Sequence, residues 1–239
     1  MKCCCRAGAP PADSLLRQPV RLPYNLVCRG LLWLIHRAFQ FGCSGIKESC
    51  ISLRSVSRVA TMYASRAGKL PEPADFYRDL TKPGTFARKV FTSPAGLYAV
   101  SAMNKPEIRA LPIVSFGGIG SASSLAKFYA MLANGGQIDD RRFFRDKTIA
   151  WMMTTLSDGM DRVFQIPTAF SAGFMKDSEH TTRRIFGRSA SSFGHPGAGG
   201  SHAFADPENK ISFAYVMNQM EQSVLPNKKS LRLINAIYS

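Results

Sequence analysis

The sequence predicts an α/β protein of the α+β type, an antiparallel sheet flanked by helices, and three observations carry that expectation. Apolar residues recur at helical spacing in three separate segments. Short aromatic-rich runs broken by turn residues lie between the second and third of these. Nowhere does the chain alternate strand and helix in the way that builds a parallel sheet. At 239 residues and 45% hydrophobic content it can hold one sizeable packed domain with an appendage.

The elements follow in chain order from Val59. Residues 68–86, "GKLPEPADFYRDLTKPGTF", are proline-rich and read as irregular surface chain. "SASSLAKFYAMLANGG" (121–136) predicts a helix. Ser121 or Ser123 serves as N-cap, Leu125, Phe128, Tyr129 and Leu132 share a face, and Gly135 or Gly136 supplies the stop. A second helix is expected over 145–156 and a third over 227–238, where Leu231, Ile234 and Ile237 align. Between them, residues 169–176, 183–190, 200–207 and 210–218 read as strands of an antiparallel meander. "DPENK" (206–210) is the tightest turn, with Pro207 at its second position and Asn209 able to turn left-handed.

Composition divides the chain. The net charge is +15, yet residues 1–60 hold nine Lys/Arg against two acidic residues, and all six cysteines fall within the first 50 positions. Residues 1–56 are therefore set apart as a basic, Cys-rich segment from a domain spanning 57–239. A misassigned start or an out-of-frame translation fits the front segment as well as a transit peptide does, since its prolines break any long amphipathic helix. The adjacent Cys3, Cys4 and Cys5 cannot all pair locally, so no disulfide framework is expected. The apolar run Gly30 to Phe41 is too short to span a bilayer, which takes roughly 20 residues. With no convincing address, the cytoplasm is only the default compartment.

Other function classes are weakened. The basic excess sits at the front, and the chain lacks the interleaved aromatic and basic residues of a stacking platform, so nucleic acid is disfavoured as a partner. His180, His195 and His202 lack ligand spacing with any Cys, Asp or Glu, so no metal and no cofactor are expected. Asp139, Asp140, Asp158 and Asp161 read as solvated surface. "GGIGSASS" (117–124) lacks the lysine and preceding strand of a phosphate loop and reads as a bend at a helix start.

"FGHPGAGGS" (193–201) is the segment that invites a chemical reading. Glycines around His195 allow close approach of a ligand or another backbone, and Pro196 removes a ladder donor, so the segment is expected at a sheet edge facing a cleft. There an imidazole could accept or donate a proton near neutral pH. A surface-turn histidine with structural glycines is the competing reading.

This segment and its continuation to Met220, together with "SFGGIGSASSLAKFYAMLANGG" (115–136) and "RVATMYASR" (58–66), resemble the carboxy-terminal half of the serine β-lactamase-related family. That family includes class C β-lactamases, D-alanyl-D-alanine peptidases and β-lactamase-like carboxylesterases. The resemblance covers roughly 57–239 and implies a β-lactamase/transpeptidase-like fold, here incomplete. It also implies hydrolysis of a small-molecule ester or amide through an acyl-serine. His195-Pro196-Gly197 matches the family's His-x-Gly triplet, common in its esterases, which tilts the expected substrate towards small esters. By the resemblance, His195 contacts substrate and assists proton movement. The Ala198 N–H supplies one oxyanion donor, and Pro196, Gly197, Gly199 and Gly200 let an acyl group lie against the strand.

The departure from the family is in its nucleophile. The resemblance calls for Ser-x-x-Lys at a helix start, then Tyr-x-Asn. No Tyr-x-Asn occurs in the 239 residues. Ser-x-x-Lys occurs at Ser44/Lys47 and at Ser124/Lys127, and the latter lies in the helix that follows Tyr-x-Asn in the family. Ser44 with Lys47 is the remaining candidate. The expectation is a partial domain, inactive alone, with self-association through an exposed apolar sheet face. The alternative is a non-catalytic protein binding a ligand, membrane or nucleic acid through the residual cleft or the basic front.

Overall fold

Proline and capping residues set where the chain turns, and the strands then pair in the order in which they are made. The structure, a computed structural model, describes residues 59–65, 74–93, 95–96, 99–109 and 118–239. A helical hairpin opens the continuous part: α1 (Ala74–Thr81) and α2 (Phe86–Phe91), with Thr85 capping α2 through its side chain. A 3₁₀ turn (Val100–Asn104) and the short α3 (Pro106–Arg109) follow. Next come α4 (Ala122–Ala133), the ribbon β1 (Gln137–Ile138) and β2 (Arg141–Arg142), and α5 (Asp146–Met153).

The main sheet has six strands: β3 (Ser157–Met160), β4 (Pro167–Phe170), β5 (Met175–Lys176), β6 (Phe193–Pro196), β7 (His202–Asp206) and β8 (Ile211–Tyr215). Their spatial order is their sequence order, and every pairing is antiparallel. Helix α6 (Lys228–Ile237) closes the chain.

The expected meander and three helices are present, with instructive differences. Residues 68–86 are not wholly irregular, because α1 lies among them and buries Phe76 with Phe91 and Phe164 in an aromatic cluster. Residues 169–176 are two strands rather than one. Ser171 N–H donates to Phe174 O (2.9 Å) and Gly173 has φ +87°, which reverses the chain between β4 and β5. Residues 183–190 form no strand. The Asp177 carboxylate accepts from Ile185 N–H (2.8 Å) and Phe186 N–H (3.4 Å), taking the place of a ladder neighbour while both side chains stay buried. Strand β3 was not expected, since "SDGM" carries no apolar alternation; it is an edge strand. Asp158 on it accepts from Ser178 Oγ–H (2.5 Å) and Glu179 N–H (2.9 Å). Asp161 accepts from Val163 N–H (2.7 Å) and Phe164 N–H (2.9 Å), so neither carboxylate is merely solvated surface.

The two faces of the sheet carry separate cores. Alternation along β6 and β7 places Phe193, Ala203 and Ala205 with α4 and α5, in a cluster built on Phe128, Leu132 and Met152. Phe204 faces the other way, with Phe186, Phe213 and Ile234 of α6. Helix α4 is set as its sequence predicts: Ser124 N–H donates to Ser121 Oγ (3.1 Å), and Gly136 N–H closes the end on Met131 O (2.8 Å). Gly136 has φ +85°, and a Cβ there would lie 2.6 Å from Phe144 O, so the position admits only glycine.

Candidate active site

His195 lies on β6, opposite Ala203 of β7, and therefore on the sheet face that carries α4. The sequence places this segment at a sheet edge, but β6 is an interior strand, because β5 pairs with it on the side away from β7. That pairing is confined to Met175 opposite Gly194, so His195 and Pro196 have a ladder partner on the β7 side only. The strand is interior at its start and half-open where the imidazole stands. Pro196 fits this local edge because it has no N–H to leave unpaired.

The side chain of His195 reaches solvent. Its Nδ1 lies 2.6 Å from Pro196 O, and a carbonyl can only accept, so Nδ1 carries the hydrogen and Nε2 is left as the basic nitrogen. Desolvation by the surrounding protein pushes its pKa below the ordinary imidazole value, against the opposing pull of the Pro196 carbonyl. The ring is thus a neutral base at neutral pH, with its free nitrogen pointing away from its own backbone.

The turn after β6 is held by its own backbone. Gly197 N–H donates to Ser201 O (2.6 Å), Gly199 N–H to Ser223 O (2.6 Å) and Gly200 N–H to Gly197 O (3.0 Å). Ala198 is exposed, and its N–H has no partner among the described residues. An exposed backbone N–H without a partner is the kind of donor that can receive a developing oxyanion.

Gly199 (φ +87°) and Gly200 (φ +117°) are required by conformation and by packing within the chain. A Cβ on Gly199 would meet Met220 Cε at 2.7 Å, and one on Gly200 would collide with Asn227 Nδ2. Their missing side chains thus face protein. Glu221 N–H donates to Gly199 O (2.8 Å), so residues 219–223 clamp the turn from behind. Ser65, Gln219, Met220, Glu221 and Gln222 line a pocket of about 290 Å³ next to it. The segment 61–65 is tied in through Tyr63 N–H to Asn218 O (2.7 Å) and Met220 N–H to Tyr63 O (2.9 Å). Asn218 Nδ2 and Gln219 Nε2 add side-chain bonds to Thr61 O (3.2 Å) and Ala64 O (2.6 Å), but the hold on Gly199 is made by backbone and nothing in the sequence of 218–223 announces it.

The serine candidates separate clearly. Ser124 is buried inside α4 and bonded to Ser121 Oγ (3.0 Å), while Lys127 is exposed, so this pair does not form a lysine-activated hydroxyl. Ser44 and Lys47 lie outside the described residues. No group of three or more potential metal ligands occurs among the described residues. No helix among them is long and apolar enough to cross a membrane.

One buried histidine escaped sequence reasoning. His202, opposite Pro196 on the far face of the sheet, is 1% exposed and ringed by Phe186, Phe204 and Phe213 at 5.6–6.0 Å. Among the described residues neither ring nitrogen has a hydrogen-bond partner of normal geometry, although the Ile185 backbone lies near enough to favour the charged form. Burial, with the nearby charges of Arg183 and His195, pushes its pKa down to about 4.

Comparison with known proteins agrees with the fold. A family model described as Beta-lactamase matches residues 55–236. The curated protein "Esterase/beta-lactamase LipL" of Mycobacterium tuberculosis (strain ATCC 25618 / H37Rv) is 32% identical over 109 residues, which are 45% of this chain and 24% of that protein. A penicillin-binding protein homolog from Caulobacter crescentus superposes with a TM-score of 0.65 at 29% identity, over 85% of this chain and 51% of its own. A family VIII carboxylesterase superposes with a TM-score of 0.58 at 27% identity, over 80% of this chain and 46% of its own. EstA from Arthrobacter nitroguajacolicus Rue61a gives 0.57 at 26%, over 78% and 48%. The chain therefore spans about a quarter of the curated relative and about half of each solved one. With most of its length matched by the family model and its mixed, antiparallel architecture shared with these structures, the chain belongs to the β-lactamase family of serine β-lactamase-related proteins.

Proposed function

We propose that this chain forms the carboxy-terminal wall of an acyl-transfer cleft that hydrolyses small carboxylic esters through an acyl-serine. The observation that carries the proposal is the unpaired Ala198 N–H, fixed by its bonded neighbours beside the neutral His195. In the reaction, a serine hydroxyl adds to the ester carbonyl and its proton passes to a base. The oxyanion sits on Ala198 N–H, and the alcohol leaves with a proton. Water then repeats the addition and releases the acid. His195 Nε2 is placed to accept or return a proton at the substrate, and losing one oxyanion donor costs about 2.7–4 kcal/mol of transition-state stabilisation.

The preference for esters over β-lactams rests on the His-x-Gly form of the triplet and on one solved relative described as a family VIII carboxylesterase. The attacking hydroxyl is assigned to none of the described residues. We therefore expect the 239-residue chain alone to turn over neither p-nitrophenyl butyrate nor nitrocefin above background. It should still bind the acyl product, and titration with butyrate should shift the Ala198 amide and the His195 ring in NMR spectra. Butyrate shifts elsewhere only, or fluorophosphonate labelling of any serine within 57–239, would overturn the assignment. Ester turnover abolished by Ser44→Ala would instead place the nucleophile in the front segment.

A further inference from the structure

The hairpin of α1 and α2 ends in a tip that the catalytic reading leaves unused. Phe86 and Val90 are one helical turn apart on α2 and are 50% and 40% exposed, although Ala87 between them is buried. Apolar side chains spaced four residues apart form one stripe. Two exposed cations lie close to it in the chain, Lys82 in the connecting turn and Lys89 next to Val90. Neither has an ion-pair partner among the described residues. The other charges of the hairpin are engaged. Arg78 pairs with Asp75, Asp79 accepts from Gln165 Nε2 (2.8 Å), and Arg88 Nη1 donates to Leu80 O and Thr81 O (both 3.4 Å) at the end of α1. What the hairpin exposes is thus an apolar pair with two lysines close to it in the chain, on a protein of net charge +15.

The tip is firmly mounted. Phe76 and Phe91 lock the two helices with rings 5.3 Å apart, and Val224 N–H donates to Tyr77 Oη (2.8 Å). Val224 follows Ser223, whose carbonyl holds Gly199 in the candidate site. The hairpin and the turn after β6 are therefore braced by the same segment.

We propose that the α1–α2 tip is a docking surface for an anionic lipid bilayer. Phe86 and Val90 would enter the interface between headgroups and acyl chains, and Lys82 and Lys89 would meet lipid phosphates. This is the pairing of apolar and basic residues that interfacial binding requires, since either contribution alone binds weakly. The inference does not depend on the hydrolytic reading, because binding is measured without turnover.

The test is co-sedimentation of the full chain with 100-nm vesicles of phosphatidylcholine containing about one third phosphatidylglycerol, against phosphatidylcholine alone, at low and at physiological salt. Binding should require phosphatidylglycerol. It should fall about tenfold in Phe86→Ala/Val90→Ala and again in Lys82→Glu/Lys89→Glu, with circular dichroism unchanged. The lysine variant keeps the test open if the apolar one misfolds, as both lysines are exposed. Failure to bind the anionic vesicles, equal binding by the lysine variant and the native chain, or retention by nucleic acid in place of vesicles would each overturn the proposal.

Discussion

Tyr238 Oη–H donates to Asp206 Oδ2 at 2.5 Å, tying the residue after α6 to the end of β7. The carboxylate is fully buried and also accepts from Ser189 Oγ–H (2.5 Å), Asn209 Nδ2 (2.8 Å) and Asn209 N–H (3.3 Å). Burial alone would raise its pKa, but these hydrogen bonds outweigh it and hold Asp206 below the usual carboxylate range. Gly187 makes room for the arrangement, since a Cβ there would lie 2.6 Å from the Tyr238 hydroxyl. The turn at 206–210 and the last helix are thus one assembly around a single charge.

Tyr238→Phe removes one donor to a buried carboxylate without opening a cavity. We expect a loss of about 1.5–3 kcal/mol, measured by urea unfolding, with the far-ultraviolet spectrum retained. Asp206→Asn should cost more, because all its donors were selected for a charged acceptor. A group with a lowered folded pKa stabilises above its unfolded value and loses that contribution as pH falls through the folded one. The difference between native chain and Asp206→Asn should therefore shrink below about pH 4.

His202 gives a second pH dependence with the same sign from the opposite kind of group. It is neutral when folded and takes up a proton at about 4, whereas the unfolded histidine titrates near 6.5. Between those values the unfolded chain binds more protons, so stability falls as pH drops from about 6.5 to 4, by about 3 kcal/mol in total. The groups acting on it are Arg183, whose charge repels the proton, and His195 across the sheet. We expect His202→Phe, which fills the cage of Phe186, Phe204 and Phe213, to flatten this limb in thermal melts taken from pH 7 to pH 4. An unchanged limb in the variant would place the acid sensitivity elsewhere.

Asp177→Ala tests the side chain that stands in for a strand. It leaves two backbone N–H groups, on the buried Ile185 and Phe186, without acceptors, and we expect a loss of about 2–4 kcal/mol. Asp177→Asn retains one acceptor oxygen and should lose about half as much. Hydrogen exchange at Ile185 should accelerate in both.

These positions mark where the sequence was legible. Helix α4 could be foreseen in detail because its cap, apolar face and glycine stop are all local. The turn after β7 was equally plain from Pro207, although the residue that turns left-handed is Lys210 (φ 54°) and not Asn209 as expected, since Asn209 instead donates its backbone and side-chain N–H groups to Asp206. Residues 183–190 misled because Ile185 and Phe186 are as buried as strand residues, while the acceptor for their backbone is a carboxylate eight residues away. At the candidate site, the glycines and His195 stand out in one stretch of sequence. The hold of residues 221–223 on Gly199 is made by carbonyl and N–H groups, so no side-chain pattern could reveal it; side chains enter only in the tie to residues 61–64, through Asn218 Nδ2 and Gln219 Nε2.

Gly194 tests whether the wall of the cleft depends on close approach of β6 to β7. Its φ is not in the left-handed region, so any cost of a side chain is steric rather than conformational. A Cβ there would collide with Ala203 O and lie 2.6 Å from Phe204 Cβ, both in the adjacent strand and unable to swing aside. We expect Gly194→Ala to cost more than about 3 kcal/mol and to lower the melting temperature by more than about 6 °C. Gly118→Ala, where nothing lies within 4 Å, should be near neutral. If Gly194→Ala melts with the native chain, β6 and β7 do not pack at this spacing, and the fixed position of Ala198 N–H loses its physical basis.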